Sequence, residues 1–292
     1  MTNNFIKDKA NKFYKLAENN HRFLSWEHCY GFFYNNRENL KNEKIIDLAA
    51  LNLAFYLASW GMYRGSSFLL QYDYKIFIPI IKGLFEKNDF NDLFKNPSWD
   101  KIEEAKKIIT KIDPFKESTE TLITKILMGI FGCVPAFDRF FKEGYKIETK
   151  ENISFNDKGF EKILKIYQNL TEKDLEKFKF KSHSNLSYPK MKIIDMAFWQ
   201  YGFEHYFKGY TLTDNKITLY RKKPRNAANY KAFDKEFDAN EAKKVETRIL
   251  EGNLKISLAT QKENFSDDEL QEILGHLIER SKKKQKTSAK AD

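Results

Sequence analysis

A chemical reading of this chain turns on Asp138. It lies in TLITKILMGIFGCVPAFDRFF, residues 121–141. There an apolar helical run reaches Gly132, a Val134–Pro135 turn follows, and a lone carboxylate opens the next segment beside Arg139. Unpaired N–H groups and the helix dipole stabilise an acid in a first helical turn, so the plain reading of Asp138 is a helix-start residue. The chemical reading is glycosidic cleavage. Breaking a nucleoside C1′–N bond builds positive charge on the sugar, and a preorganised carboxylate can stabilise that charge or activate a water. Lys125, thirteen residues earlier, is the second candidate. Its place more than one turn into its helix favours a solvent-facing or snorkelling lysine instead.

Other residues could serve such a reaction. A base extruded from a duplex must be stacked on aromatic rings and read along its edge by polar groups. Trp60, Tyr63, Arg64 and Ser66, in WGMYRGSS, have the right chemistry, as do Trp199 and Gln200; a core tryptophan and a loop arginine are the alternative. Asp195 is expected to cap a helix or pair with a lysine. Arg221, Lys222, Lys223 and Arg225, with Tyr220 and Tyr230, mix charge with stacking groups. That mixture suits a nucleic-acid contact or a solvated connector. The five histidines show no metal spacing, and no P-loop, dinucleotide fingerprint or nucleophile elbow is present. No metal or cofactor is expected.

The elements that must position these residues read as helices. Aromatic and charged residues alternate at helical spacing over 5–37, with Phe13, Phe23 and Trp26 on the apolar side. Residues 45–57 have the period of a mostly buried helix that runs into the Gly/Ser-rich stretch 58–67. Residues 68–84 read as another helix with Pro79 as a kink, and 99–111 as an amphipathic helix after Ser98. Ser118 or Thr119 can cap a helix over 120–131, with Gly132 just past its end. A new helix starts at 136–143. Short helical pieces follow at 160–167 and 175–180, then a loop over 182–188 and a helix over 190–207 begun at Pro189. Beyond Gly209 the texture changes. Residues 211–220 read as a hairpin turning at Asp214–Asn215, and 237–252 as a charged helix. Ser266 and Glu269 have capping-box spacing before a terminal helix. Residues 281–292 are expected to be a disordered basic tail.

Composition bounds the rest. The 292 residues include 26 Phe, and 15% are aromatic, enough for a substantial core. Only 12 Gly and 6 Pro argue against an all-β fold. A net charge of +10 and a pI near 9.2 suit a polyanionic partner, although a bias towards Lys, Asn, Ile and Phe codons would also produce it. Two cysteines cannot build a disulfide framework or a four-cysteine cluster. No apolar window reaches the length of a membrane span, and no signal-peptide core follows the first residues, so a cytoplasmic monomer is expected.

The Lys125–Asp138 segment, TKILMGIFGCVPAFD, resembles the Lys–helix–VPxD pattern of the helix-hairpin-helix DNA glycosylase superfamily. A second segment, MKIIDMAFWQYG at 191–202, is similar to the closing Asp-x-x-Leu-Trp-x-x-Gly helix of a divergent branch. The resemblance implies a mainly α fold: a two-lobed helical domain over 1–207, a charged extension over 208–280, and the tail 281–292. It implies a DNA glycosylase acting on a flipped base in double-stranded DNA, with Asp138 as catalytic carboxylate. Lys125 would be the Schiff-base nucleophile of members that also nick the backbone. The chain departs from the pattern in two ways. Residues 112–117, IDPFKE, replace the Gly-rich hairpin that holds a DNA phosphate. The Lys-to-Asp spacing is also shorter than in nicking members, which predicts a monofunctional enzyme. Two alternatives share the scaffold: a non-catalytic nucleic-acid-binding or phage-defence-associated module, and a helical protein-interaction domain.

Overall fold

The computed structural model describes residues 3–19, 23–85, 88–182, 186–225, 228–233, 237, 239–259, 265 and 267–288. The chain is mainly helical with a small sheet, and divides into two compact units, Met1–Tyr201 and Gly202–Asp292.

The first unit contains α1 (Asn3–Asn19), α2 (Leu24–Asn36), α3 (Glu43–Ser59), α4 (Ile78–Phe85), α5 (Trp99–Lys111) and α6 (Glu120–Ile130). It continues through α7 (Arg139–Thr149), α8 (Asp157–Asn169) and α9 (Glu172–Leu175) into α10 (Lys190–His205), which crosses the boundary. Local chemistry sets the helix starts. The side chains of Asn42, Thr119, Asp138 and Asn156 each accept an N–H from the first turn of α3, α6, α7 and α8. Gly132 follows α6 with φ +62°, the left-handed conformation glycine adopts cheaply.

Two helices are buried on every side. α6 is buried from Leu122 to Ile130, and α10 from Met191 to Gln200. A helix buried all round belongs in a core, so these two form the middle of the unit, with Lys125, Lys192 and Asp195 as buried charges among their apolar residues. The helix α6 packs against α2 and α3. Trp26 Nε1 donates to Met128 O at 3.0 Å, and a Cβ on Gly129 would lie 2.8 Å from the Tyr56 ring, so glycine permits the close approach of α3. Phe141 of α7 meets Phe198 of α10 edge to face, and Tyr145 meets the same ring at a tilt.

The structure corrects several sequence expectations. Residues 68–84 are not one helix: 3-10 turns at Phe68–Gln71 and Tyr74–Phe77 precede α4. Ser67 and Asp73 cap these turns with their side chains and interrupt the apolar run, while Pro79 sits in the first turn of α4 where its missing N–H is harmless. Residues 176–177 form a turn after α9, and 178–180 are extended rather than helical. Phe180 N donates to Leu186 O and Tyr188 N to Phe178 O, so strand-like pairing with the following segment overrides local propensity.

In the second unit, β1 (Gly209–Leu212) and β2 (Lys216–Tyr220) form the expected antiparallel hairpin. β3 (Lys231–Ala232) and β4 (Lys255–Leu258) complete a sheet of order β3-β1-β2-β4, with β4 parallel to β2. These two strands are too short and too exposed to show a sequence period. The helices are α11 (Ala239–Leu250) and α12 (Asp267–Ser288). Residues 281–288 are therefore helical, while 289–292 and the proposed cap Ser266 lie outside the described residues. Among the described residues, no helix is long and apolar enough to cross a membrane.

Candidate functional site

The turn between α6 and α7 is held by three hydrogen bonds, two from α6 and one from α10. Phe137 N donates to Thr124 Oγ1 (2.9 Å), Thr121 Oγ1 donates to Phe137 O (3.1 Å), and Ala136 N donates to Asp195 Oδ1 (3.0 Å). These bonds fix the segment that ends in Asp138. The Oδ1 of Asp138 accepts the N–H groups of Phe140 and Phe141, both at 3.0 Å, and so caps α7. Its Oδ2 faces Lys125 Nζ at 3.7 Å, an ion pair longer than a hydrogen bond. Lys125 Nζ donates to Trp60 O (3.1 Å) and lies 5.7 Å from the centre of the Trp60 ring.

Lys125 is thus neither solvent-facing nor snorkelling. It is 4% exposed and points inward to Asp138. The turn after α6 reverses the chain, so Asp138 comes back alongside the middle of α6 rather than lying beyond its end. Burial, the largest effect, holds the Lys125 amine below its ordinary range despite the nearby Asp138 and Asp195.

A second buried ion pair adjoins the first. Lys192 Nζ lies 2.9 Å from Asp195 Oδ2, one turn apart on α10, as expected of a lysine partner for Asp195. Lys192 also sits 5.1–5.6 Å from the rings of Phe13, Trp26 and Trp60. Burial raises the Asp195 carboxyl, with Lys192 opposing it. Tyr56, fully buried on α3, brings a hydroxyl without a hydrogen-bond partner. Together these groups line a cavity of about 10 Å³ closed by Trp60 and Trp199, whose rings meet edge to face at 5.8 Å. That is about the space of one water molecule.

The other expected site residues are distributed. Trp60 and Trp199 line the cavity. Gln200 is buried beside Trp199 in sequence but is not among the lining residues. Tyr63, Arg64 and Ser66 lie in the loop past α3 and do not line it either. Arg64 is exposed with its guanidinium folded over Gly61, Ser66 is exposed, and burial pushes the Tyr63 hydroxyl up to about 12. Arg139 turns onto the Phe140 ring. In the second unit Arg221, Lys222, Lys223 and Arg225 are exposed, with Arg221 over Tyr206. Sequence reasoning passed over Tyr56 and Lys192. The i,i+3 spacing of Lys192 and Asp195 was the available signal for one; nothing local marks Tyr56. Among the described residues no group of His, Cys, Asp and Glu is placed to hold a metal; His21 and His183 lie outside them.

Comparison of the chain with family models, curated proteins and solved structures finds no match.

Proposed function

We propose that this protein cleaves the N-glycosidic bond of a damaged or modified base in DNA. The supporting observation is the meeting of Lys125 Nζ and Asp138 Oδ2 at 3.7 Å inside a buried site walled by Trp60 and Trp199. In this reading the base is taken out of the duplex and stacks on those indoles. As the C1′–N bond breaks, its electron pair leaves with the base, and Asp138 stabilises the positive sugar. Lys125, whose burial favours the neutral amine, attacks C1′; the departing base takes up the proton released from Nζ, and cleavage of C1′–O4′, with O4′ protonated by water, leaves a protonated imine. The net charge of +10 suits the polyanionic substrate. A base is larger than the cavity, so the reading requires residues 60–67 to swing outward. Gly61 and Gly65, both at positive φ, are the natural hinges.

The test is incubation with DNAs carrying different modified bases, followed by mass spectrometry of released bases. Asp138→Asn is expected to lower release by ~10²-fold or more with DNA binding near wild type. Release by the variant at the wild-type rate would reject the assignment. Borohydride trapping is expected to give a covalent adduct that Lys125→Ala abolishes. Absence of that adduct would favour the monofunctional enzyme expected from the Lys-to-Asp spacing.

A second reading has its own observation. Asp138 Oδ1 is fully engaged as the α7 cap, and the site is closed to anything larger than water. A non-catalytic nucleic-acid-binding or defence-associated helical module needs no more than that. DNA retention in a low-salt gel shift, with no base released from any substrate, would favour it.

A further inference from the structure

The helix α3 is apolar on both faces, yet only one face is buried. Ala50, Leu53, Tyr56 and Leu57 enter the core. On the other side Leu48, Leu51 and Phe55 are 48%, 48% and 55% exposed. A surface helix ordinarily turns polar residues to water. Lys44, Leu48, Leu51, Phe55 and Ala58, all exposed, follow one another at steps of four and three residues, the spacing of a heptad seam. No charged residue occurs from Leu48 to Ser59. Asp47, just before, is turned aside to the Tyr74 hydroxyl at 3.1 Å.

We infer that this seam is a homodimer interface in which α3 packs antiparallel against α3 of a second copy. The inference is independent of the proposed chemistry. The spacing selects a helix as occupant, and the sequence of the seam selects itself. In an antiparallel two-fold register, Leu48 faces Ala58 of the partner subunit and Leu51 faces Phe55 of the partner subunit. Large residues then meet smaller ones in every layer. A parallel register would stack Lys44 on Lys44 of the partner subunit and align the helix dipoles. The antiparallel one separates both. Leu70 and Tyr72 are also exposed, and Tyr72 lies two residues before Tyr74, which anchors to Asp47 beside the seam. Burying Leu48, Leu51, Phe55, Ala58, Leu70 and Tyr72 from each copy removes on the order of 1,000 Å² from water, the lower bound of a specific interface, so a weak dimer is expected. Each copy carries +10, so salt should strengthen association by screening the repulsion.

Sedimentation of the full chain tests this. The expected result is a monomer–dimer equilibrium with Kd of roughly 10–100 μM, tightening as salt rises from about 0.05 to about 0.5 M. Leu51→Glu combined with Phe55→Glu should give a monomer with wild-type circular dichroism, because both side chains are in solvent. Asn52→Cys, next to the two-fold axis, should form an intermolecular disulfide under mild oxidation. Lys44→Cys should not, since its symmetry mate lies ~27 Å away along the helices. The native Cys29 and Cys133 are buried and do not compete. A monomer at about 100 μM in high salt, a dimer indifferent to the double glutamate variant, or crosslinking at Lys44→Cys in preference to Asn52→Cys would each overturn the inference.

Discussion

Asp195 uses both carboxylate oxygens, one on Ala136 N–H and the other on Lys192. It therefore ties α10 to the turn that presents Asp138 and neutralises a buried cation. Removing one partner of a buried pair leaves an uncompensated charge, so Asp195→Leu is expected to lose ~3–5 kcal/mol in urea denaturation. Lys192→Met with Asp195→Leu should recover most of that loss. A double variant as unstable as the single one would show that the Ala136 anchor matters more than the charge. Lys125 makes a pH prediction. Its folded pKa is lowered by burial, so the unfolded chain binds more protons across the window between the folded value and the ordinary lysine value near ~10.4. Its contribution to stability is present above that window and is lost as pH falls through the folded pKa. The stability difference between wild type and Lys125→Met should therefore shift in favour of wild type as pH rises through alkaline values. A pH-independent difference would mean the amine is not desolvated in solution.

The turn between α6 and α7 decides where Asp138 goes. Gly132 is its tightest point: φ is +62°, and a Cβ there would meet Pro189 Cγ at 2.7 Å and the Tyr30 ring at 2.8 Å. Gly132→Ala is expected to cost ~2 kcal/mol or more, because backbone strain and the clash add. A thermal melt within a degree of wild type would contradict this. The cap separates stability from chemistry. Asp138→Ala should lose the ~1 kcal/mol of the α7 cap together with the Lys125 ion pair, whereas Asp138→Asn keeps a capping oxygen and loses only the ion pair. At this scale the sequence was legible wherever punctuation and period agreed. The apolar stripe of 99–111 coincides with α5, although Ser98 at its N-cap position makes no side-chain capping bond, and Thr119 and Gly132 bracket α6. It failed at 68–77 and 178–180. There, capping side chains and pairing with a distant segment outweighed an apolar run that reads equally well as helix.

The whole molecule has its own signature in salt. If the exposed cluster Arg221, Lys222, Lys223 and Arg225 contacts phosphates, replacing all four by alanine should reduce the slope of log affinity against log salt by up to ~3–4. An unchanged slope in a filter-binding series would remove this cluster from the interface. The dimer responds to salt in the opposite direction, since screening weakens DNA binding and strengthens self-association. The two effects can therefore be told apart in one salt titration.

The sequence by itself determined the helical class, most helix ends, the hairpin of β1 and β2, and the candidacy of Asp138. All of these depend on neighbours within a few residues: caps, periods, glycine conformations and turn chemistry. Only the tertiary structure decided what surrounds Asp138. Lys125 looked peripheral because helix position says nothing about what lies opposite, and the return of the chain through Gly132 and Pro135 brings a carboxylate to its amine. Tyr56 and Lys192 joined the site because α3 and α10 converge on α6, a consequence of packing two fully buried helices into one core. Whether a polar residue is a solvated surface group or half of a buried ion pair is set by contacts across sequence separations such as the 59 residues between Ala136 and Asp195. Local pattern carries no record of them.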